Sequence, residues 1–471
     1  MTKPQFFPCK QGVRQGDPLS PLLFNIFLNG IFDDLKKNNC DPVTLNGKDY
    51  LNALAYADDI VLMSTSKDGL QKALNTTKEY CDQWSLQINY TKTKCITFTK
   101  GNQKEKNIFT INGEKLENVK EFKYLGIMLH KKNCSFTSAV KNLRTRATRA
   151  IYSIGSKVNI NRLSVHIALK LFDTTVKPIL LYASEIWEPF LNQEPKKWDY
   201  NDIEKTYLQF MKRILGTNRS TTNIMVRGEL NRHSLQEEIL RRNINYAIYI
   251  NQKNTGIVKQ AYDYEINRPP EYISFFNTIK KHAHELQALH KCFLPLKHPL
   301  ENILRIPNMK LRSYTYHIFH NQWKSNLDTS IKGETYRRFK SKMKLEPYLR
   351  FLNRKQRVSL TKLRVSDHKL MIEEGRRKKP KIPRENRTCQ MCPDKIEDEP
   401  HFLTNCVLYG SRIKLFQNFE TLYPAFNTLS TDQKFIYLMS QEDPTMTTAL
   451  AKAILQWQNL RTFLDTYFFQ P

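Results

Sequence analysis

Two short apolar runs, Leu51-Asn-Ala-Leu-Ala-Tyr56 and Ile60-Val-Leu-Met63, flank Ala57, Asp58 and Asp59. Runs of this length around a polar break read as paired strands, so the chain has to hold two carboxylates at the tip of a hairpin. In a core they would be costly. Facing solvent they suit a divalent cation such as Mg²⁺, which prefers carboxylate oxygens and keeps waters that a phosphate can replace. From Tyr56-Ala-Asp-Asp59 alone, a plain exposed turn is the better reading.

Upstream, Gln11-Gly-Val-Arg-Gln-Gly16 places two of only 15 glycines in one short stretch. Glycine there lets backbone come close to a ligand, and a simple turn explains it equally well. Asp17-Pro18 has the form of a helix start, with an N-cap carboxylate and then a residue whose missing N–H costs nothing at the first helical position. The expected helix is Leu19-Ser-Pro-Leu-Leu-Phe-Asn-Ile-Phe-Leu-Asn29.

Scarce glycine with plentiful Leu, Lys, Glu, Gln and Arg predicts a mostly helical chain. Its 471 residues are enough for two or three domains. Strands are expected only in the first 130 residues, an α+β block. Amphipathic helices follow over 135–250, the first with Val140, Leu143, Ala147, Ile151 and Ile154 on one face and Lys141, Arg146 and Arg149 off it.

The formal charge of +29 and pI near 9.6 point to a polyanionic partner, nucleic acid ahead of an anionic membrane surface or the ribosome. Residues 331–388 concentrate this charge, with 20 Lys or Arg against six Asp or Glu. Within them, Arg376-Arg-Lys-Lys-Pro-Lys-Ile-Pro-Arg384 reads as a flexible basic linker or a nuclear-localisation stretch. No run approaches the roughly 18–20 apolar residues of a membrane span, and the first residues carry no signal-peptide core. No membrane partner and an intracellular location, nuclear or cytoplasmic, are therefore expected.

Of nine cysteines, Cys9, Cys40, Cys81, Cys95, Cys134 and Cys292 are scattered, as reduced thiols are. Cys389, Cys392, His401 and Cys406 form a cluster with the composition of a Cys₃His zinc site; coincidence with buried free thiols is the alternative. Four protein ligands leave no open position, so such a Zn²⁺ would be structural.

Taken in order, these stretches resemble the reverse transcriptases of non-LTR (LINE-type) retrotransposons. Gln11 to Asn25 resembles the family's motif B and Tyr56-Ala-Asp-Asp59 its motif C. Trp84-Ser-Leu-Gln-Ile-Asn-Tyr-Thr-Lys-Thr-Lys94 is similar to motif D, and Phe122-Lys-Tyr-Leu-Gly126 to the motif E primer grip. Leu171 to Trp187 looks like the region that follows the polymerase, and the cysteine cluster like the CCHC motif that closes many LINE proteins.

The resemblance implies two Mg²⁺ ions bound by Asp58, with Asp59 supporting the site electrostatically. It puts Tyr56 near the primer end, Gln15 and Gly16 beside the incoming nucleotide and template, and Lys92 or Lys94 at the triphosphate. Tyr124, Leu125 and Gly126 would position the primer terminus. The implied partners are an RNA template, a DNA primer or target and deoxynucleotides.

One part of the family pattern is missing. Motif A, with a further metal-binding aspartate, should precede motif B, yet only ten residues precede Gln11 and none is acidic. Asp17 belongs to the helix cap, and Asp33 and Asp34 lie along the next helix. Misplacing reacting groups by ~1 Å can cost ~10²-fold in rate, so the chain as it stands is expected to be inactive, with exposed palm strand edges.

The expected α+β architecture is a partial palm over 1–130, a helical thumb-like region over 131–260 and a basic helical connector over 261–388. A zinc knuckle over 389–406 and a helical tail over 407–471 complete it. A non-catalytic nucleic-acid-binding relic or co-opted protein is the alternative function.

Overall fold

The computed structural model describes residues 12–14, 16–45, 50–98, 107–132, 135–191, 198–253, 255–269, 271–272, 274–281 and 308–467. They divide into two units. The first gathers 1–139, 189–191 and 246–281, and the second 140–188, 192–245 and 282–471. Strands occur in the first unit and helices dominate the second.

In the first unit, helix α1 (Ser20–Leu28) runs into α2 (Gly30–Lys37), and strands β1 (Ala53–Tyr56) and β2 (Asp59–Leu62) form an antiparallel pair. Helix α3 (Lys67–Gln83) starts at Ser66, whose hydroxyl accepts the Gly69 N–H at 2.9 Å, a cap that serves one of the orphan donors of a helix start. Its apolar positions point two ways. Ala73 and Tyr80 join Leu28, Ile31, Leu35 and Ala53, with Ile60 and Leu62 packed alongside. Leu74 joins Cys95, Phe109, Ile111 and Leu116. The hairpin thus rests on α2 and α3, which fixes the direction of its tip.

One feature differs from the expectation for this unit. The Asp17 carboxylate accepts the Leu19 N–H at 2.8 Å and closes a turn, while the helix begins at Ser20, whose hydroxyl donates to the Arg14 carbonyl at 2.6 Å. Asp17 therefore caps a turn, not the helix itself. The described strands pair only two by two, and Leu19, just before α1, and Leu22, Leu23 and Ile26 within it are exposed.

The second unit is built around buried charge. Helix α4 (Asn223–Leu230) presents Glu229, which has no solvent exposure. Its carboxylate accepts both Nε and Nη2 of Arg364 at 3.0 Å, the Tyr336 hydroxyl at 2.9 Å and the Tyr348 hydroxyl at 2.6 Å. Arg364 also pairs with Glu346 at 2.9 Å, and Lys340 pairs with Glu346 as well. Burial alone would raise the Glu229 pKa, but Arg364 and Lys340 reverse that and hold it below the usual carboxylate value.

These donors come from the stretch expected to be a connector and linker. Residues 331–388 instead build the core of the second unit: Tyr336, Tyr348, Leu360 and Leu363 are buried in it. The run from Arg376 is held too. Arg376 pairs with Glu373 at 2.6 Å and Arg384 with Glu334 at 2.6 Å. The buried Arg387 donates to the carbonyls of Ile372 and Ile382 at 2.7–3.0 Å. A basic composition reads as a solvated linker only while its acceptors, distant in sequence, are unknown.

Breaking one partner of a buried ion pair leaves an uncompensated charge and costs about 3–5 kcal/mol. Glu229→Ala is expected to lower the stability of the second unit by that amount in urea denaturation. Asp34→Asn, which breaks an exposed i,i+3 pair with Lys37, is expected to leave the unfolding midpoint in place.

Candidate active site and metal centre

The register of β1 and β2 pairs Tyr56 with Asp59, leaving a loop of only Ala57 and Asp58. Two-residue hairpins demand positive φ at the first loop position, and Ala57 adopts +53°. That conformation costs a residue with a Cβ on the order of 1–2 kcal/mol. The strained turn exposes Asp58 and Asp59 together at the tip, beside the 66% exposed Tyr56.

A second tight hairpin belongs to the same unit. Strand β3 (Glu121–Tyr124) pairs with β4 (Ile127–His130) through the loop Leu125–Gly126, with φ of +44° and +86°. Positive φ at both positions marks the type I′ turn. The Tyr124 hydroxyl is pushed above its ordinary pKa by burial, with the Asp59 carboxylate adding to the effect. The fold therefore brings Tyr124 and Asp59, distant in sequence, into one electrostatic neighbourhood.

Gly16 lies exposed with φ +86°, and a Cβ there would meet nothing within 4 Å. Its glycine answers to backbone conformation, not to close approach. Gln15 lies outside the described residues. The helix that follows is tied to the Trp84 stretch: the Trp84 ring meets Phe27 edge-on at 5.2 Å, and the Tyr80 hydroxyl donates to the Phe27 carbonyl at 2.5 Å.

The two lysines separate. Lys94 is held by Glu117 at 2.7 Å, whereas Lys92 is exposed and has no ion pair among the described residues. No third acidic, His or Cys ligand joins Asp58 and Asp59 among the described residues.

The second cluster closes in space. The ligand atoms of Cys389, Cys392, His401 and Cys406 all lie within 4.8 Å of one another. Local structure arranges them: Cys389 N–H donates to the Lys395 carbonyl at 2.8 Å and Lys395 N–H to the Cys392 carbonyl at 2.9 Å, folding the CxxC stretch into a knuckle. His401 rides on a one-turn helix, Glu399–Thr404, capped by Asp398, whose carboxylate accepts the His401 N–H at 2.9 Å. The Asp398-Glu-Pro helix start is a capping signal that sequence reading missed.

The donor set fits a metal ion. His401 Nε2 is buried without a partner, an arrangement that is costly for a plain core histidine. The hydrogen bond from Cys406, 3.8 Å away, pulls the Cys389 thiol below its ordinary value, with His401 and the amides of Met391 and Cys392 adding to the effect, and the same bond pushes Cys406 up. Thiolate is the form that binds metal. A Cys/His group that can hold a metal ion is thus present. Arg412, which sequence reading also missed, donates to the Cys406 carbonyl at 2.6 Å.

Residues 1–129 match the family described as reverse transcriptase (RNA-dependent DNA polymerase). In this part the chain is similar to reverse transcriptases of non-LTR retrotransposons. The RNA-directed DNA polymerase from mobile element jockey of Drosophila funebris is 31% identical over 37% of this chain and 19% of its own length. The Pol polyprotein of the type-1 retrotransposable element R2 of Nasonia vitripennis is 32% identical over 27% of this chain and 13% of that protein. A probable RNA-directed DNA polymerase from transposon BS of Drosophila melanogaster is 27% identical over 50% of this chain and 26% of its own. The chain spans about a quarter or less of the length of each of these relatives. In the reverse-transcriptase segment, the two hairpins hold the residues that resemble motifs C and E.

Elemental analysis of the purified chain is expected to return about one tightly held metal ion per chain. Cys389→Ser and His401→Ala should each lower that value, and chelation should lower the thermal midpoint of the native chain. A metal-free protein of unchanged stability would mean that the cluster is only a set of buried thiols.

Proposed function

We propose that the first unit is the palm portion of an RNA-directed DNA polymerase of LINE type, and that Asp58 and Asp59 are carboxylates of its nucleotidyl-transfer centre. The observation that carries the reading is the pair of tight hairpins, which exposes both aspartates and sets Tyr124 near Asp59. Asp58 and Asp59 would hold Mg²⁺, which when bound stabilises charge on the attacking and leaving oxygens of in-line displacement at a nucleotide α-phosphate.

The chain's own residues orient the reactants. Tyr124, Leu125 and Gly126 present the rim of the second hairpin to the primer terminus, with Tyr56 beside it. Lys92, the lysine without an ion pair among the described residues, reaches the triphosphate and can give a proton to the leaving pyrophosphate; Lys94 braces the strand through Glu117. Gln15 and Gly16 border the nucleotide and template.

Cys389, Cys392, His401 and Cys406 would hold Zn²⁺, since three thiolates and an imidazole select it and fill its tetrahedral positions. The role is structural, shaping a surface for RNA or DNA. No helix among the described residues is long and apolar enough to cross a membrane.

A second reading rests on the missing third carboxylate near Asp58 and Asp59 among the described residues: the 471-residue chain binds nucleic acid without polymerising. Primer extension on an RNA template with Mg²⁺ separates the two, run beside an Asp58→Ala, Asp59→Ala double variant and a gel-shift assay. The expected result is no extension by either protein and salt-sensitive binding of RNA and DNA by both. Extension that the double variant loses would show a working centre completed by another carboxylate.

A further inference from the structure

Six lysine or arginine side chains are buried among the described residues, and five of them reach an oxygen acceptor. Arg364 has Glu229 and Glu346, Lys340 has Glu346, and Arg461 has Glu397. Arg387 has the Ile372 and Ile382 carbonyls, and Lys212 the Arg219 carbonyl at 2.8 Å. Arg357 is the exception. It is 5% exposed, its Nε is buried without a partner, and its guanidinium makes no hydrogen bond or ion pair with the described residues.

Its charged surroundings are of the same sign. Arg354 lies one turn earlier on the helix Arg354–Arg364, on the same side. Arg213 is contributed by the helix Asp202–Leu215, whose terminal Gly216 packs so tightly on Val358 that a Cβ would come within 2.5 Å of that side chain. Burial and Arg354 work against the charge on Arg357, and burial and Arg213 against that on Arg354; the Tyr348 hydroxyl is the other titratable group near Arg357. Arg354 finds one neutral acceptor, the Asn161 carbonyl at 3.4 Å. Arg213 stands exposed at the edge of the cluster.

A desolvated guanidinium without a counter-ion is expensive, and arginine does not escape the cost by losing its proton. We infer that Arg213, Arg354 and Arg357 form an anion site that takes a phosphodiester group of a nucleic-acid strand, with Arg357 as its base and Arg213 and Arg354 as its rim. The planar fork of arginine suits two oxygens of one phosphate. The choice of a nucleic-acid phosphate over a free one rests on the proposed function. It also explains why a cation can stand at the inner end of this helix without a carboxylate: the neutralising charge arrives with the ligand.

The test compares the full chain with Arg357→Met, and with Arg213→Gln and Arg354→Gln as rim variants that leave the interior intact. The affinity of each for a 20-base-pair DNA duplex of arbitrary sequence is measured across a salt series, and the thermal midpoint is measured with and without millimolar inorganic phosphate. One lost phosphate contact should reduce the slope of log affinity against log salt by about 0.9 and weaken binding about fivefold near physiological salt. Inorganic phosphate should raise the midpoint of the native chain and not that of Arg357→Met.

Equal slopes and affinities for the native chain and all three variants would overturn the site while leaving nucleic-acid binding in place. Stabilisation by inorganic phosphate with unchanged duplex binding would overturn the phosphodiester assignment in favour of a free anion. A native chain that binds no duplex at any salt removes the broader reading, and this inference with it.

Discussion

The Glu229 carboxylate, wholly inside the second unit, is the interaction on which the helices around it depend. Its donors are separated from it by 107 to 135 residues. A bidentate guanidinium and two phenol hydroxyls fill its acceptor directions, and Glu346 and Lys340 balance the remaining charge. Each ion taken out of water costs several kcal/mol, which mutual attraction offsets only when geometry and hydrogen bonding are complete. Here they are, so the network discriminates sharply among ways of stacking these helices. Gly228 adds a steric lock, because a Cβ there would lie 2.6 Å from the Tyr336 hydroxyl.

The Cys/His cluster is anchored by the same kind of contact. Glu399, at the start of the His401 helix, is fully buried and held down to about 2: burial opposes its charge, but His368 at 2.9 Å and Ser366 at 2.6 Å outweigh it. Glu397 joins Arg461 on the terminal helix and accepts the Met371 N–H at 2.8 Å. Phe402, Tyr409 and Trp457 pack together behind the cluster. The ligand group is thus a corner of the helical unit, braced by charge and rings, and the basic segment before it is part of the brace.

The first unit has the opposite character. The residues proposed for its site lie on hairpin tips and turns, with left-handed backbone at Ala57, Leu125 and Gly126, and both aspartates are exposed. A rigid pair of helices under the hairpin, not a network at the site, supplies the positioning. That is what a centre needs if its charge is to be completed by metal ions and substrate phosphates.

Much of this was legible in the sequence wherever the determinant is local. The hairpin around Asp58 and Asp59 follows from two apolar runs with a three-residue gap, which the fold tightens to a two-residue loop by pairing Asp59 with Tyr56, and the Cys389, Cys392, His401 and Cys406 group from ligand types at knuckle spacing. What needed tertiary structure is where each cation ends. Sequence could not tell Lys92 from Lys94, because Glu117 lies 23 residues beyond the latter. Nor could it tell that Arg364 and Arg387 face inward while Arg357 stays without an acceptor. Turn length, capping and ligand spacing act over a few residues and are written in order along the chain. Burial of a charge depends on which distant carboxylate the fold delivers to it, and only the packed structure decides that.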